Sequence, residues 1–149
     1  MMPFTIIAPA PTMPMGMDKN ADQQVIAGAT NLKLTGWTAR SGYGSSDITN
    51  DELIANGSAT ANVRCRIQLA ANWASTQGAL HVMLMRNSAE VKSADFANNS
   101  SSLTLPDTQV SLAAGDRIWV QITNSTSSIW AANATVQGGV NTYVSFDLV

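Results

Sequence analysis

Catalysis near neutral pH draws on a tuned acid or base, an activated nucleophile or a metal ion. The chain has one histidine, His81, and one cysteine, Cys65. His81 stands inside the apolar run LHVML, with no second histidine to complete an H-x-H or H-x-x-x-H spacing, and reads as a structural or interface residue. Cys65 alternates with Val63, Ile67 and Leu69, which is the position of a small buried hydrophobe. A single cysteine also allows neither an intrachain disulfide nor a cysteine zinc site. The carboxylates are dispersed, Asp51 and Glu52 being the only adjacent pair, and nothing singles out two of them as a glycosidase pair. The stretch DITNDE gathers Asp47, Thr49, Asn50, Asp51 and Glu52 but lacks the glycine spacing of a calcium loop; such residues close turns through their own side chains. No G-x-S-x-G elbow occurs. The residues therefore name no catalytic group, no cofactor site and no metal site, and the chain reads as a non-enzyme without cofactors.

Two tryptophans offer a different chemistry. Trp73 follows Asn72 in AANWAST, and Trp130 precedes Asn133 in SSIWAANA, both loop-like stretches. An exposed aromatic beside an amide can stack on a sugar and hydrogen-bond it, which makes Trp73 and Trp130 candidate ligand-binding residues; the competing reading is an aromatic that plugs the end of a sandwich. N-x-S/T triplets at Asn56, Asn98, Asn99, Asn124 and Asn133 read as an Asn/Ser/Thr-rich surface. Net charge is −2, pI about 5.1, and the eight basic residues are scattered, so no broad positive field exists to hold phosphates and nucleic acid is not an expected partner. Only 12% of residues are charged, about half the usual share.

These residues must be positioned by a chain of 149 residues, enough for one domain with a sizeable core. Residues 1–20 read as an extended arm. Pro3, Pro9, Pro11 and Pro14 disfavour helix, and between them lie Phe4, Ile6, Ile7, Met13, Met15 and Met17, the expected anchoring groups. With no positive n-region the segment is neither signal peptide nor membrane span, so no membrane insertion is expected. Residues 21–149 read as one β-domain with period-two runs. Val63 to Leu69 alternate with Arg64, Arg66 and Gln68; Leu80, Val82 and Leu84 with His81, Met83 and Met85; Ile118, Val120 and Ile122 with Arg117, Trp119 and Gln121. Val144, Phe146 and Leu148 alternate with Tyr143, Ser145 and Asp147. Residues 38–58 read as a long loop with one helical turn near DELIA, and AEVKSADFANN, which fits neither period well, reads as strand or loop. Regular short strands predict an all-β sandwich or barrel. Met83, Met85, Trp119 and Tyr143 fall opposite the core positions and are the candidate subunit interface.

The run VSLAAGDRIWVQI, followed by the closing strand TYVSFDLV, resembles the C-terminal half of complement C1q/TNF-like domains, with their L-x-x-G-D-x-(V/I)-x-(V/L) signature. The run VRCRIQLAANWASTQGALHVMLMRNSAEV is similar to that family's central strands. The resemblance implies a jelly-roll β-sandwich of ten strands that assembles as a homotrimer. With a Pro/Met-rich arm in front, the layout resembles bacteriophage capsid decoration and minor tail proteins. That implies a virion location and, as partners, capsid or tail proteins of the same particle. The alternative is a receptor- or carbohydrate-binding module with a host-surface glycan as ligand.

Overall fold

Alternation of apolar and polar residues suits an extended backbone with one face buried and the other wet. The computed structural model, which describes residues 12–127, 129 and 132–149, is built almost wholly from such stretches. In chain order the strands are β1 (Met15–Lys19), β2 (Gln23–Val25), β3 (Leu32–Lys33), β4 (Trp37–Ala39), β5 (Ile48–Thr49), β6 (Glu52–Ile54) and β7 (Ala59–Trp73). They continue with β8 (Leu80–Arg86), β9 (Ala89–Asp95), β10 (Ser100–Thr104), β11 (Thr108–Leu112), β12 (Arg117–Asn124), β13 (Ala134–Val136) and β14 (Gly139–Leu148).

Hydrogen bonding collects these strands into two antiparallel sheets. In the larger sheet, β10 and β11 lie end to end along one side of β7, and β13 and β14 lie end to end along the other. Beyond them come β2 and β1 in one row, then β4 at the edge. In the smaller sheet, β12 has β8 and then β9 on one side, with β6 and β3 sharing the other and β5 outermost. Five rows in each sheet make the ten-row jelly-roll β-sandwich that the sequence led us to expect. The alternating residues meet between the layers: Val63, Cys65, Ile67 and Leu69 of β7 with Val144 and Phe146 of β14 on one side, Leu80, Val82, Leu84, Ile118, Val120 and Ile122 on the other, all buried. Each such side chain contributes about 1.5–3 kcal/mol relative to an exposed one.

Two expectations about the elements need correction, and one left open is settled. The domain takes in residues assigned to the arm, because Met15–Lys19 is a strand hydrogen-bonded on both sides, by β14 and by β4. Met15 and Met17 accordingly point into this chain's own core at 0% exposure instead of projecting toward a partner. Even Thr12 is buried: its Oγ1 donates to Asn56 Oδ1 at 2.9 Å, and Met13 N donates to the same oxygen at 3.2 Å. The expected loop at residues 38–58 contains β5 and β6, and DELIA is extended rather than helical because Leu53 and Ile54 pair with Ile118 and Arg117. The ambiguous AEVKSAD is strand β9, paired along its length with β8.

Candidate interaction surfaces

On the outer face of the larger sheet, Tyr143 stands opposite Arg66 of β7 and Asp18 of β1. The next outward position on β1 is Gly16, and the ring of Tyr43 fills the space above it; a Cβ there would lie 2.9 Å from Tyr43 Cδ2. Tyr43 arrives because residues 40–46 fold back over the sheet, with Arg40 N donating to Gly16 O at 2.9 Å and Gly16 N donating to Ser46 Oγ at 2.8 Å. The Tyr43 hydroxyl donates to Asp147 Oδ1 at 3.2 Å. Arg64 bridges two carboxylates, donating to Asp147 at 2.7 Å and Asp107 at 3.0 Å, and the hydrogen bond and charge of Asp107 raise its pKa further above the ordinary arginine value. The Arg40 guanidinium lies 3.9 Å from the Tyr143 ring centroid and donates to Asp18.

The outer face of the smaller sheet is built differently. Trp119 stands opposite Met85, and Gln121 opposite Met83. The Gln121 amide donates to both thioether sulfurs, at 3.6 Å and 3.7 Å. Trp119 Nε1 donates to Asn87 O at 2.9 Å, and the Lys33 ammonium lies 5.2 Å from its ring centroid. Lys33 and Arg117 flank the buried carboxylate of Glu52 at 3.4 Å and 3.5 Å. The four expected interface residues are thus divided: Met83, Met85 and Trp119 share this face, while Tyr143 lies on the opposite side of the sandwich. Met85 is also buried at 7% exposure, covered by its own sheet neighbours. Alternation identifies outward residues but not the sheet that each strand joins.

Of the expected ligand residues, Trp73 is a core residue. It closes one end of the sandwich at 4% exposure, with Nε1 donating to Gly78 O at 3.1 Å, so it offers no face for stacking. Trp130 and the arm residues Phe4, Ile6 and Ile7 lie outside the described residues. Met13 is exposed where the arm leaves the domain. His81 Nδ1 lies 2.6 Å from Asp95 Oδ1 and Nε2 lies 3.9 Å from Glu90 Oε1, so both ring nitrogens face carboxylates. In DITNDE, Asp47 accepts from Thr49, Asp51 accepts from Gly36 N, and Glu52 is ion-paired, each engaged by protein donors. Burial pushes the Cys65 thiol up to about 12, an inert core group.

Two features carry no sequence signal. Lys19 is buried at the kink between β1 and β2, donating to Ala21 O at 2.8 Å and Thr35 O at 2.6 Å; burial lowers its pKa, against the raising charges of Asp51 and Asp22. A groove of about 350 Å3 opens at the edge between β9 and β11, lined by Arg86, Glu90, Val91, Gln109 and Val110 among others.

No protein-family model matches the sequence, and no curated protein matches it. Solved structures do. Eiger TNF from S. frugiperda superposes with a TM-score of 0.63 at 12% identity, over 94% of this chain and 94% of that one. The bushbaby GITRL structure gives 0.48 at 16% identity, over 91% and 94% of the two chains. Rabbit GITRL gives 0.47 at 16%, over 77% and 86%. The Eiger likeness spans almost the whole of both chains and establishes the jelly-roll fold of C1q/TNF type.

Proposed function

We propose that this jelly roll is a non-enzymatic structural protein of a virus particle. It assembles as a homotrimer through the outer face of its larger sheet, and the segment before Thr12 tethers it to a capsid or tail protein. The observation that carries the reading is the composition of that face. Both tyrosines of the chain, Tyr43 and Tyr143, and three of its five arginines, Arg40, Arg64 and Arg66, gather there. Tyr and Arg are the residues enriched at the centres of protein interfaces, and both ring and guanidinium planes here are already held in place before any partner arrives. The resemblance to C1q/TNF-like domains favours three copies. The particle assignment draws on the proline- and methionine-rich segment, which enters the fold beside Asn56, at the same end as Val149.

Native mass measurement of the full chain at micromolar concentration tests the assembly. The expected species is three times 15.7 kDa. Tyr143→Ala combined with Arg66→Glu should yield a folded monomer. A monodisperse wild-type monomer overturns the reading. Removal of residues 1–11 should leave the trimer intact and abolish its co-sedimentation with particles made from the same genome; retention on the particle overturns the tether.

A further inference from the structure

The described chain begins at a joint between Thr12 and the connection from β6 to β7. The buried Thr12 hydroxyl donates to Asn56 Oδ1 at 2.9 Å and accepts from Asn56 N at 3.2 Å. Met13 N donates to the same Oδ1 at 3.2 Å. A backbone N–H can only donate, so the atom that it meets is the carbonyl oxygen of the amide and not its nitrogen. Asn56 itself is exposed. Of all the asparagines in the chain, only Asn56 is followed by glycine.

An Asn-Gly pair carries its own nucleophile. The Gly57 nitrogen is tied to Asn56 Cγ through a few covalent bonds, so attack closes a succinimide ring at little cost in entropy. Glycine has no Cβ to crowd that approach. As the bond from Gly57 N to Cγ forms, negative charge gathers on Asn56 Oδ1. On that oxygen the Thr12 hydroxyl and the Met13 N–H already converge, so the fold supplies two donors for the developing oxyanion. The Gly57 nitrogen gives its proton to hydroxide or water, the Cγ–Nδ2 bond breaks, and Nδ2 takes a proton from solvent and leaves as ammonia. The exposure of Asn56 gives base and ammonia a path. Water then opens the ring. Attack at Cγ yields aspartate; attack at the main-chain carbonyl carbon yields isoaspartate, whose main chain runs through Cβ and Cγ. One water is consumed and one ammonia released, with no oxidant or reductant.

We propose that Asn56 is a self-modification site, converted by Gly57 to aspartate and isoaspartate with Thr12 and Met13 activating its carbonyl, and that the conversion loosens the joint at Thr12. Isoaspartate lengthens the main chain of the connection 55–58 and carries its carboxylate on Cα, which displaces the acceptor that Thr12 and Met13 share. The inference is independent of the proposed assembly, because a monomer carries the same joint.

The test follows the full chain under mildly alkaline conditions by intact mass and peptide mapping. The mass gain of an amide replaced by a carboxyl is expected in the peptide containing residue 56, and an isoaspartyl methyltransferase should label that peptide. The two hydrogen bonds also restrain the side chain, and comparison with the unfolded chain measures which effect prevails. One donor to a developing oxyanion is worth about 10²–10³ in an enzyme site, and here the folded chain should convert at least about tenfold faster than the same chain in urea. Thr12→Val removes the donor at similar volume. It should slow the folded chain about tenfold and leave the rate in urea unchanged, because residue 12 is 44 positions from Asn56; Thr12→Ser should restore the folded rate. Converted protein, separated by its added negative charge, should exchange the Met13 amide proton at least about tenfold faster than unconverted protein. No mass gain at Asn56, a rate in urea as high as the folded rate, or equal folded rates for Thr12→Val and wild type would overturn the site. Unchanged exchange at Met13 after conversion would overturn the loosening.

Discussion

The two outer faces of the sandwich carry large side chains in similar positions and hold them by different means. On the smaller sheet, Trp119, Met83 and Met85 lie along the strands and are sealed by their own neighbours, with Gln121 donating to both sulfurs and Asn87 accepting from the indole. On the larger sheet, Tyr43 is brought in by a separate loop, and Tyr143 and Arg64 are fixed by ion pairs and a cation–π stack at the rim of solvent. Outward apolar residues are therefore poor evidence of a partner by themselves. The first face is a small satellite core that completes itself. The second presents Tyr and Arg preorganised, and in the proposed assembly only this second face meets another protomer.

The largest effect should come from disturbing the seat of Tyr43. In Gly16→Val, the added Cβ would sit 2.9 Å from Tyr43 Cδ2 and 3.1 Å from Arg40 Cβ, so the covering loop must lift. Overpacking of this kind costs about 1–3 kcal/mol, read as a shift of the urea midpoint, and the proposed trimer should dissociate with it. A variant as stable as wild type would show that the loop is not seated on Gly16. Trp119→Ala should come next. It removes a half-buried aromatic from the self-sealed face, where full burial would be worth about 3–5 kcal/mol, so a loss of about 2 kcal/mol is expected with no change in native mass. Loss of the assembly in Trp119→Ala, and not in Tyr143→Ala, would reverse the roles assigned to the two faces.

Sequence patterning anticipated one half of this comparison better than the other. The long strands β7, β8, β12 and β14 were legible because their alternation runs over seven or more residues, and so was the inert burial of Cys65. The strands β4 to β6 are two or three residues long, too short to show a period, and are held in place by β1, by β12 and by each other rather than by local preference. β1 was hidden by the prolines ahead of it, although Met15 and Met17 alternate with Gly16 and Asp18 in the ordinary way. Trp73 shares the parity of Val63 to Leu69 along β7, so extending that alternation would have placed it inside. The seat of Tyr43 had no such signal: a Gly/Ser-rich loop carries the ring to a glycine 27 positions away, a contact made only when the sheet is assembled.

A smaller effect separates charge from packing on the larger sheet. Arg64 and its carboxylates Asp107 and Asp147 are each about 40–50% exposed, so water screens their attraction. Arg64→Gln should cost about 0.2–1 kcal/mol, and most of the difference from wild type should vanish at high salt. A larger, salt-independent loss would mean that Arg64 acts through packing of its stem over β14.

The smallest effect concerns the turn between β11 and β12, where the chain passes from the larger sheet to the smaller. Gly115 adopts φ 87°, and Asp116 then folds its carboxylate back to accept from Ala113 N at 2.9 Å and from the Asn87 amide at 3.0 Å. Burial works to raise the pKa of this carboxyl, but the Ala113 N–H, the Asn87 amide and the charge of Arg86 together outweigh it, and the pKa lies below the ordinary aspartate value. A carboxyl with a depressed folded pKa contributes stability that is present above its unfolded pKa and is lost as the pH falls through the folded one. Asp116→Asn should therefore be less stable than wild type near neutral pH, and the gap should narrow from about pH 4 downward as the wild-type carboxyl takes up a proton. Urea midpoints of the two proteins across that range measure it. A gap that stays constant with pH would mean that the side chain's shape, and not its charge, closes the turn that joins the two faces.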